Sequence, residues 1–421
     1  MLEVPAILLT CVGIFGFINH RYLKLPLTVG LVLIALAAAL GIILIDVLLP
    51  DAGMRTGLKI WLEGIDFNRT LMHGILSFLL FAGALHVNLQ DLMDSKLHIS
   101  TLASLGVAIS TIINGCGFYF LTGLFGFEVD FLICLVFGVI VSPTDPVAVL
   151  AMLKTIKVPP RLEATIAGES LFNDGVAVVL YSLLGTIAFG ALSGGHGSDS
   201  VGVNEIVGFF VKEAAGGALL GLISGYLAFL LLRRMNDYII EVIITLALVT
   251  GAYSLALYLH VSGPIAMVIA GVFIGNTGRR LAMSEKTRTH VTQFWHLIDE
   301  ILNAALFVLI GFEVIVLSFE GNIVPLSIAV IVISLFARWS AVSFPMMSLA
   351  PVAEKDKGDI VILTWAGLRG GISVALALAL PDIPEKDVIL TATYAVVIFT
   401  ILIQGITIER LIKKVRGNAS E

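Results

Sequence analysis

Charge is what this sequence lacks most. Of its 421 residues only 13% are Asp, Glu, Lys or Arg, against roughly 25% in soluble domains. No five like charges stand in a row, which argues against a nucleic-acid partner. Cysteine is scarce too. The three present, Cys11, Cys116 and Cys134, all lie in apolar segments, which leaves no disulfide framework and no Cys/His metal cluster. Disorder is excluded by the opposite excess: 58% of the residues are apolar and the mean hydropathy is +1.02, far above chains that stay unfolded. A soluble fold would have almost no polar surface to offer water. The composition predicts an all-α polytopic membrane protein surrounded by lipid. The first apolar stretch, from about Val4 to Asn19, lacks a basic start and an A-x-A cleavage site, so it reads as a retained span.

Polar and Gly/Pro breaks divide the chain into thirteen expected spans: 3–19, 25–49, 69–88, 98–122, 130–153, 162–190, 205–232, 239–259, 262–277, 297–319, 323–349, 359–380 and 387–409. Lys and Arg placement tests the count independently. Alternate loops hold Arg21 and Lys24; Lys96; Lys154, Lys157 and Arg161; Arg233 and Arg234; Arg279, Arg280, Lys286 and Arg288; Lys355 and Lys357; and Arg410, Lys413, Lys414 and Arg416. The intervening loops hold only Arg55, Lys59, Arg69 and Lys386. By the positive-inside rule the N-terminus is then outside and the C-terminus cytoplasmic, in the cell (inner) membrane. Between spans, Leu58–Leu62 suits a short amphipathic helix and Ser193–Val203 a flexible outer linker. Arg279–Gln293 suits a helix lying along the cytoplasmic face, and 410–421 forms a short cytoplasmic tail.

Two spans carry helix breakers at comparable places. The fifth contains Ser142-Pro143-Thr144-Asp145-Pro146 and the twelfth Gly367-Leu368-Arg369-Gly370-Gly371. Proline removes a donor, and a Gly-x-x-Gly-Gly run weakens helix formation. With the seventh span (205–232) as a link, residues about 1–190 and 239–410 become two halves of opposite orientation. Each half is then broken in its fifth span. Inverted-topology repeats with broken crossing helices are the pattern of secondary transporters, and irregular backbone at that depth must line a cavity or be buried in protein.

The few intramembrane charges are functional hypotheses by default. On a helix at 100° per residue, Glu169, Ser170, Asn173 and Asp174 share one sector while Leu171 and Phe172 point elsewhere. Asp145 sits at the break of the span before. Carboxylate, hydroxyl, amide and freed carbonyl oxygens make a set suited to a hard cation. Arg338 and Arg369 oppose them and each needs a carboxylate or free carbonyls. Glu169 is expected to pair with Arg338, Arg369 to meet the carbonyl ends of the broken helix, and Asp174 to stay the free carboxylate. Glu169, Asn173 and Arg338 suit either a transport role or plain adhesion between helices. Glu300 and Asn303, at i and i+3, suit either a cytoplasmic funnel or a snorkelling interface. The histidines at membrane edges, His86, His260 and His296, read as bland.

These motifs resemble a known family. Ser-Pro-Thr-Asp-Pro-Val-Ala-Val-Leu at 142–150, Gly-Glu-Ser-Leu-Phe-Asn-Asp-Gly-Val-Ala-Val-Val-Leu-Tyr at 168–181 and Gly-Leu-Arg-Gly-Gly at 367–371 are similar to the monovalent cation:proton antiporters, nearest the NhaP/NHE group. The segment from Phe294 to Glu313 resembles bacterial members. The resemblance implies a thirteen-span homodimer with a dimerisation domain and a six-helix core. It also implies Na⁺ and H⁺ as substrates, no cofactor, and a part in pH homeostasis. The cation site maps onto Thr144, Asp145, Glu169, Ser170 and Asp174, with Na⁺ expected at Asp174, Asp145, Ser170 and Thr144. The structural polar residues map onto Asn173, Arg338 and Arg369. Little chain follows Glu409, so regulation by a tail domain is not carried over.

The mechanism these readings give is competition. A proton and Na⁺ exclude each other on Asp174, and the core crosses only when that charge is neutralised. Asn173 cannot titrate, so one proton per cation and an electroneutral cycle are expected. Li⁺ could replace Na⁺, and K⁺/H⁺ exchange is the near alternative, because counting oxygen ligands does not separate the ions. A cation channel would need a repeated filter motif, which is absent. An intramembrane enzyme would need a constellation such as H-E-x-x-H, also absent.

Overall fold

The computed structural model describes residues 3–49, 74–153, 158–192, 203–317, 321–348 and 358–417. All regular structure among them is helical, as hydrocarbon requires of a chain whose backbone must satisfy itself. In chain order the helices are α1 (Glu3–Ile18), α2 (Leu27–Leu48), α3 (Leu76–His86), α4 (Leu89–Asp94), α5 (Lys96–Phe125), α6 (Phe131–Ile140), α7 (Val147–Leu153) and α8 (Pro160–Leu192). They continue as α9 (Val203–Leu232), α10 (Tyr238–Leu259), α11 (Gly263–Phe273), α12 (Glu285–Glu313), α13 (Ile323–Ser348), α14 (Asp359–Trp365), α15 (Gly371–Leu378) and α16 (Lys386–Val415).

Nine helices among the described residues are long and apolar enough to cross a membrane, and α3 and α6 are shorter apolar helices. Length alone does not reach thirteen because four expected spans are short or interrupted. The third begins outside the described residues, the fifth and twelfth are broken, and α11 has only 11 residues. The expected helix at 58–62, the linker over 193–202 and residues 418–421 fall outside the described residues.

One expectation is corrected. The segment 279–293 is not a separate interfacial helix: after a single turn at Arg279–Leu281, the chain runs from Glu285 to Glu313 as one helix of 29 residues. Ser284 caps its start, accepting from the amide of Thr287 at 3.3 Å, and no Gly or Pro interrupts the next 25 residues. At about 44 Å the helix outruns a bilayer core and projects beyond it.

Three clusters of buried side chains organise the packing. One joins α3, α9, α10, α11 and α12 around Phe81, Met267 and Trp295. A second joins α5, α6, α13, α15 and α16 around Phe118, Phe137 and Val330. The third forms the seam between them, where α2 and α12 meet α14 and α16 through Val32, Phe307, Ile362 and Tyr394. α5 packs on α13, α6 on α15, and α3 on α12. At the centre, residues 141–146 and 366–370 leave the helical path and cross one another between α6/α7 and α14/α15.

Candidate functional site

The crossing is held by backbone. Asp145 donates its amide to the carbonyl of Leu368 at 2.8 Å, a main-chain partner that neither break finds in its own segment. Asp145 then starts α7, its Oδ1 accepting from the amide of Val147 at 2.8 Å. The glycines of the second break serve close approach. A Cβ on Gly367 would run into the guanidinium of Arg338, and one on Gly370 into the carboxylate of Asp145. Sequence reading took this run as weak helix propensity. Its spatial reason is that two charged side chains lie against the bare backbone.

α8 supplies the second side of the site. Glu169, Ser170, Asn173 and Asp174 are all buried. Thr144 Oγ1 lies 3.1 Å from Ser170 Oγ and accepts from Asn173 Nδ2 at 2.8 Å, so break and helix are stitched together by side chains. Asn173 Oδ1 is buried without a hydrogen-bond partner among the described residues. Both guanidinium groups are spoken for. Arg338 forks onto both oxygens of Glu169 and also donates to Leu363 O at 2.8 Å from Nη2. Arg369 donates from Nε to Val141 O, from Nη1 to Gly367 O at 2.9 Å, and from its amide to Thr400 Oγ1 at 3.0 Å. It therefore satisfies carbonyls from both breaks. Thr400 opens a π-type turn in α16, a partner with no motif to announce it.

The remaining charge is negative. Asp174 is 7% exposed, and its carboxylate makes no hydrogen bond among the described residues. With Asp145 it lines a cavity of about 400 Å³. Besides these two carboxylates its lining takes in Asn303, Glu300 and Asp299 from the middle of α12, Glu163 from the first turn of α8, and Asn88 and Asp91 at α4. Its lining includes six carboxyl-bearing side chains and no Lys or Arg. The lining residues Pro160 and Glu163 stand on either side of Arg161 in sequence, and Asp91 lies five residues before Lys96. Asn303 is buried and donates to Asp299 Oδ1 at 3.0 Å. His86 and His296, which looked bland in sequence, meet edge-on with ring centroids 5.8 Å apart and line the same cavity. Nothing in the sequence links Asp91, Glu163 and Asp299, because each belongs to a different helix, and only the fold gathers them.

The oxygen-only donor set of Thr144, Asp145, Ser170 and Asp174 can hold a desolvated hard cation or a proton. Among the described residues no three His, Cys, Asp or Glu side chains are grouped as a metal cluster.

Comparison with known proteins agrees with this geometry. The family model for the transmembrane sodium/hydrogen exchanger matches residues 7–414. The Na(+)/H(+) antiporter NhaP of Pseudomonas aeruginosa is 44% identical, over 99% of this chain and 97% of its own length. The Na(+)/H(+) antiporter NhaH of Halobacillus dabanensis is 32% identical, over 98% of this chain and 97% of its own. In fold, the chain resembles the sodium proton antiporter MjNhaP1 of Methanocaldococcus jannaschii with a TM-score of 0.75, at 18% identity and over 99% of each chain.

Proposed function

The chain belongs to the sodium/hydrogen exchanger family, and from that premise we propose that it is a secondary antiporter exchanging Na⁺ or Li⁺ for protons by alternating access. The observation that carries the reading is an imbalance of charge. Arg338 is used up on Glu169 and Arg369 on backbone carbonyls, so Asp174 and Asp145 face the cavity with no guanidinium to neutralise them. A buried carboxylate in that position must find a counter-ion or a proton. Na⁺ and H⁺ compete for it, which is the requirement for exchange.

In this reading Asp174 and Asp145 bind the cation with the hydroxyls of Thr144 and Ser170. Asn173 positions Thr144 through its amide, and Glu169 and Arg338 clamp α8 to α13 and α14. When Asp174 holds a proton or Na⁺, its buried charge is cancelled and the crossing can pass the membrane midplane; when it is bare, desolvation opposes it. Asp174 as the one exchanging carboxylate, beside the neutral Asn173, gives one proton per cation and an electroneutral cycle.

The repeat organisation, about 1–190 and 239–410 with 205–232 between, is supported by the packing of corresponding spans, α3 on α12, α5 on α13 and α6 on α15. The protein works as a homodimer in the cell membrane, with the N-terminus outside and the C-terminus cytoplasmic. The acidic lining includes residues next to Arg161 and near Lys96, which the positive-inside rule places on the cytoplasmic side, and this favours the inward-facing form. Glu300 and Asn303 form the funnel that feeds the site, and the protein serves pH homeostasis without a cofactor.

The test is dequenching of a pH dye in proteoliposomes on addition of Na⁺, Li⁺ or K⁺. Na⁺- and Li⁺-dependent proton efflux is expected. Proton flux driven by K⁺ alone, or single-channel currents, would overturn the assignment.

A further inference from the structure

Ser373 is in the first turn of α15, where the chain leaves the second break. It is 1% exposed, and its Oγ has no hydrogen-bond partner among the described residues. Thr28, Ser95, Ser343, Thr393 and Tyr394 also have buried hydroxyls without a partner among the described residues, but of this group Ser373 alone is in the cavity lining. For Ser373 the residues one turn earlier are Arg369 and Gly370, in the break itself. The residue lines the same cavity as Asp145 and Asp174. Its helix begins where Gly370 abuts the carboxylate of Asp145, so closely that a Cβ would collide. An unpartnered buried hydroxyl is unfavourable in a finished packing arrangement, and the transport reading left it without a role.

We propose that Ser373 Oγ is a further oxygen ligand of the transported cation, supplied by α15, so that the bound ion touches both broken helices rather than the first alone. The inference rests on the exchange reading and deepens it. A hydroxyl suits the position because its oxygen has lone pairs free to turn to a cation. It adds no charge and leaves the stoichiometry unchanged. It also offers the hard oxygen that Na⁺ and Li⁺ prefer over sulfur.

The experiment uses the full-length protein in proteoliposomes, with Ser373→Ala, Ser373→Thr, Ser373→Cys and Asp174→Asn beside the natural sequence. The apparent KM for Na⁺ in Ser373→Ala is expected to rise by about three- to tenfold, the effect of one hydroxyl contact, while Vmax holds. Ser373→Thr restores the KM, and Ser373→Cys, close in volume but soft, repeats the loss. The rise in Tm on adding Na⁺ shrinks in parallel. A residue that merely packed would behave differently, because removing an orphaned hydroxyl leaves Na⁺ affinity alone and stabilises the fold. Natural KM and a natural Na⁺-induced Tm shift in both Ser373→Ala and Ser373→Cys, with Asp174→Asn inactive, would overturn the assignment of Ser373 only. Absence of Na⁺-driven exchange in the natural protein would instead overturn the exchange reading.

Discussion

The guanidinium of Arg338 on α13 forks onto the carboxylate of Glu169 on α8, and both groups are buried. Removing one partner strands the other charge, at a cost of about 3–5 kcal/mol. Arg338→Ala is therefore expected to yield little folded protein. Replacing both partners, Arg338→Met with Glu169→Gln, should recover a monodisperse peak in size-exclusion chromatography. A stable, monodisperse Arg338→Ala single variant would overturn the structural role.

Asp174→Asn keeps the shape of the side chain and removes its ability to exchange a proton for a cation. Folding is expected to survive, because the carboxylate makes no hydrogen bond among the described residues, and Na⁺-dependent dequenching is expected to vanish. Robust Na⁺-dependent proton flux in that variant would refute the assignment.

Protons and Na⁺ competing for the same carboxylates fix the sign of the pH dependence. Lowering pH fills the site with protons, so the apparent KM for Na⁺ should climb, by up to about tenfold per pH unit where one proton is displaced per ion. Rates measured under an imposed membrane potential should change little if the cycle is electroneutral. A strong voltage dependence would reject the one-for-one stoichiometry.

Gly370→Ala and Gly367→Ala insert a methyl against Asp145 and Arg338 respectively. Gly370→Ala is expected to impair exchange first. Gly367→Ala should lower the melting temperature more, because it disturbs the Arg338–Glu169 clamp. Gly190→Ala, on α8 with nothing within 4 Å, is the control, and a helix gains roughly 0.5–1 kcal/mol from it. Equal losses in all three variants would show that steric contact at the crossing is not the cause.

The acidic funnel predicts a salt-dependent effect on uptake. Glu300→Gln and Asp299→Asn should raise the apparent KM for Na⁺ at low ionic strength, with the difference fading as choline chloride is added, because the funnel concentrates cations through its field. A salt-independent change would point to direct ligation instead.

Much of the site was legible because scarcity made it so. In an apolar chain Asp145, Glu169, Asp174, Arg338 and Arg369 stand out singly, and helix geometry places Glu169 and Asp174 in one sector. The breaks announced themselves through Pro143, Pro146 and the glycines. What sequence could not supply was proximity between distant segments. Nothing local marks Leu368 O as the partner of Asp145, or Thr400 as the acceptor for Arg369, or Asp91, Glu163 and Asp299 as neighbours in one funnel. Ser373 was invisible for another reason. Serine is common in helices, and only a hydroxyl without a partner combined with a place in the cavity lining sets it apart. The segment at 279–293 misled because its basic, amphipathic pattern suits a helix on the membrane as well as one projecting out of it.

The amide of Asp145 bound to the carbonyl of Leu368 has a mechanical consequence. In a medium without water, pulling the two breaks apart would leave a bare donor and a bare acceptor. The crossing therefore behaves as a rivet. Any movement of α6/α7 is therefore expected to carry α14/α15 with it.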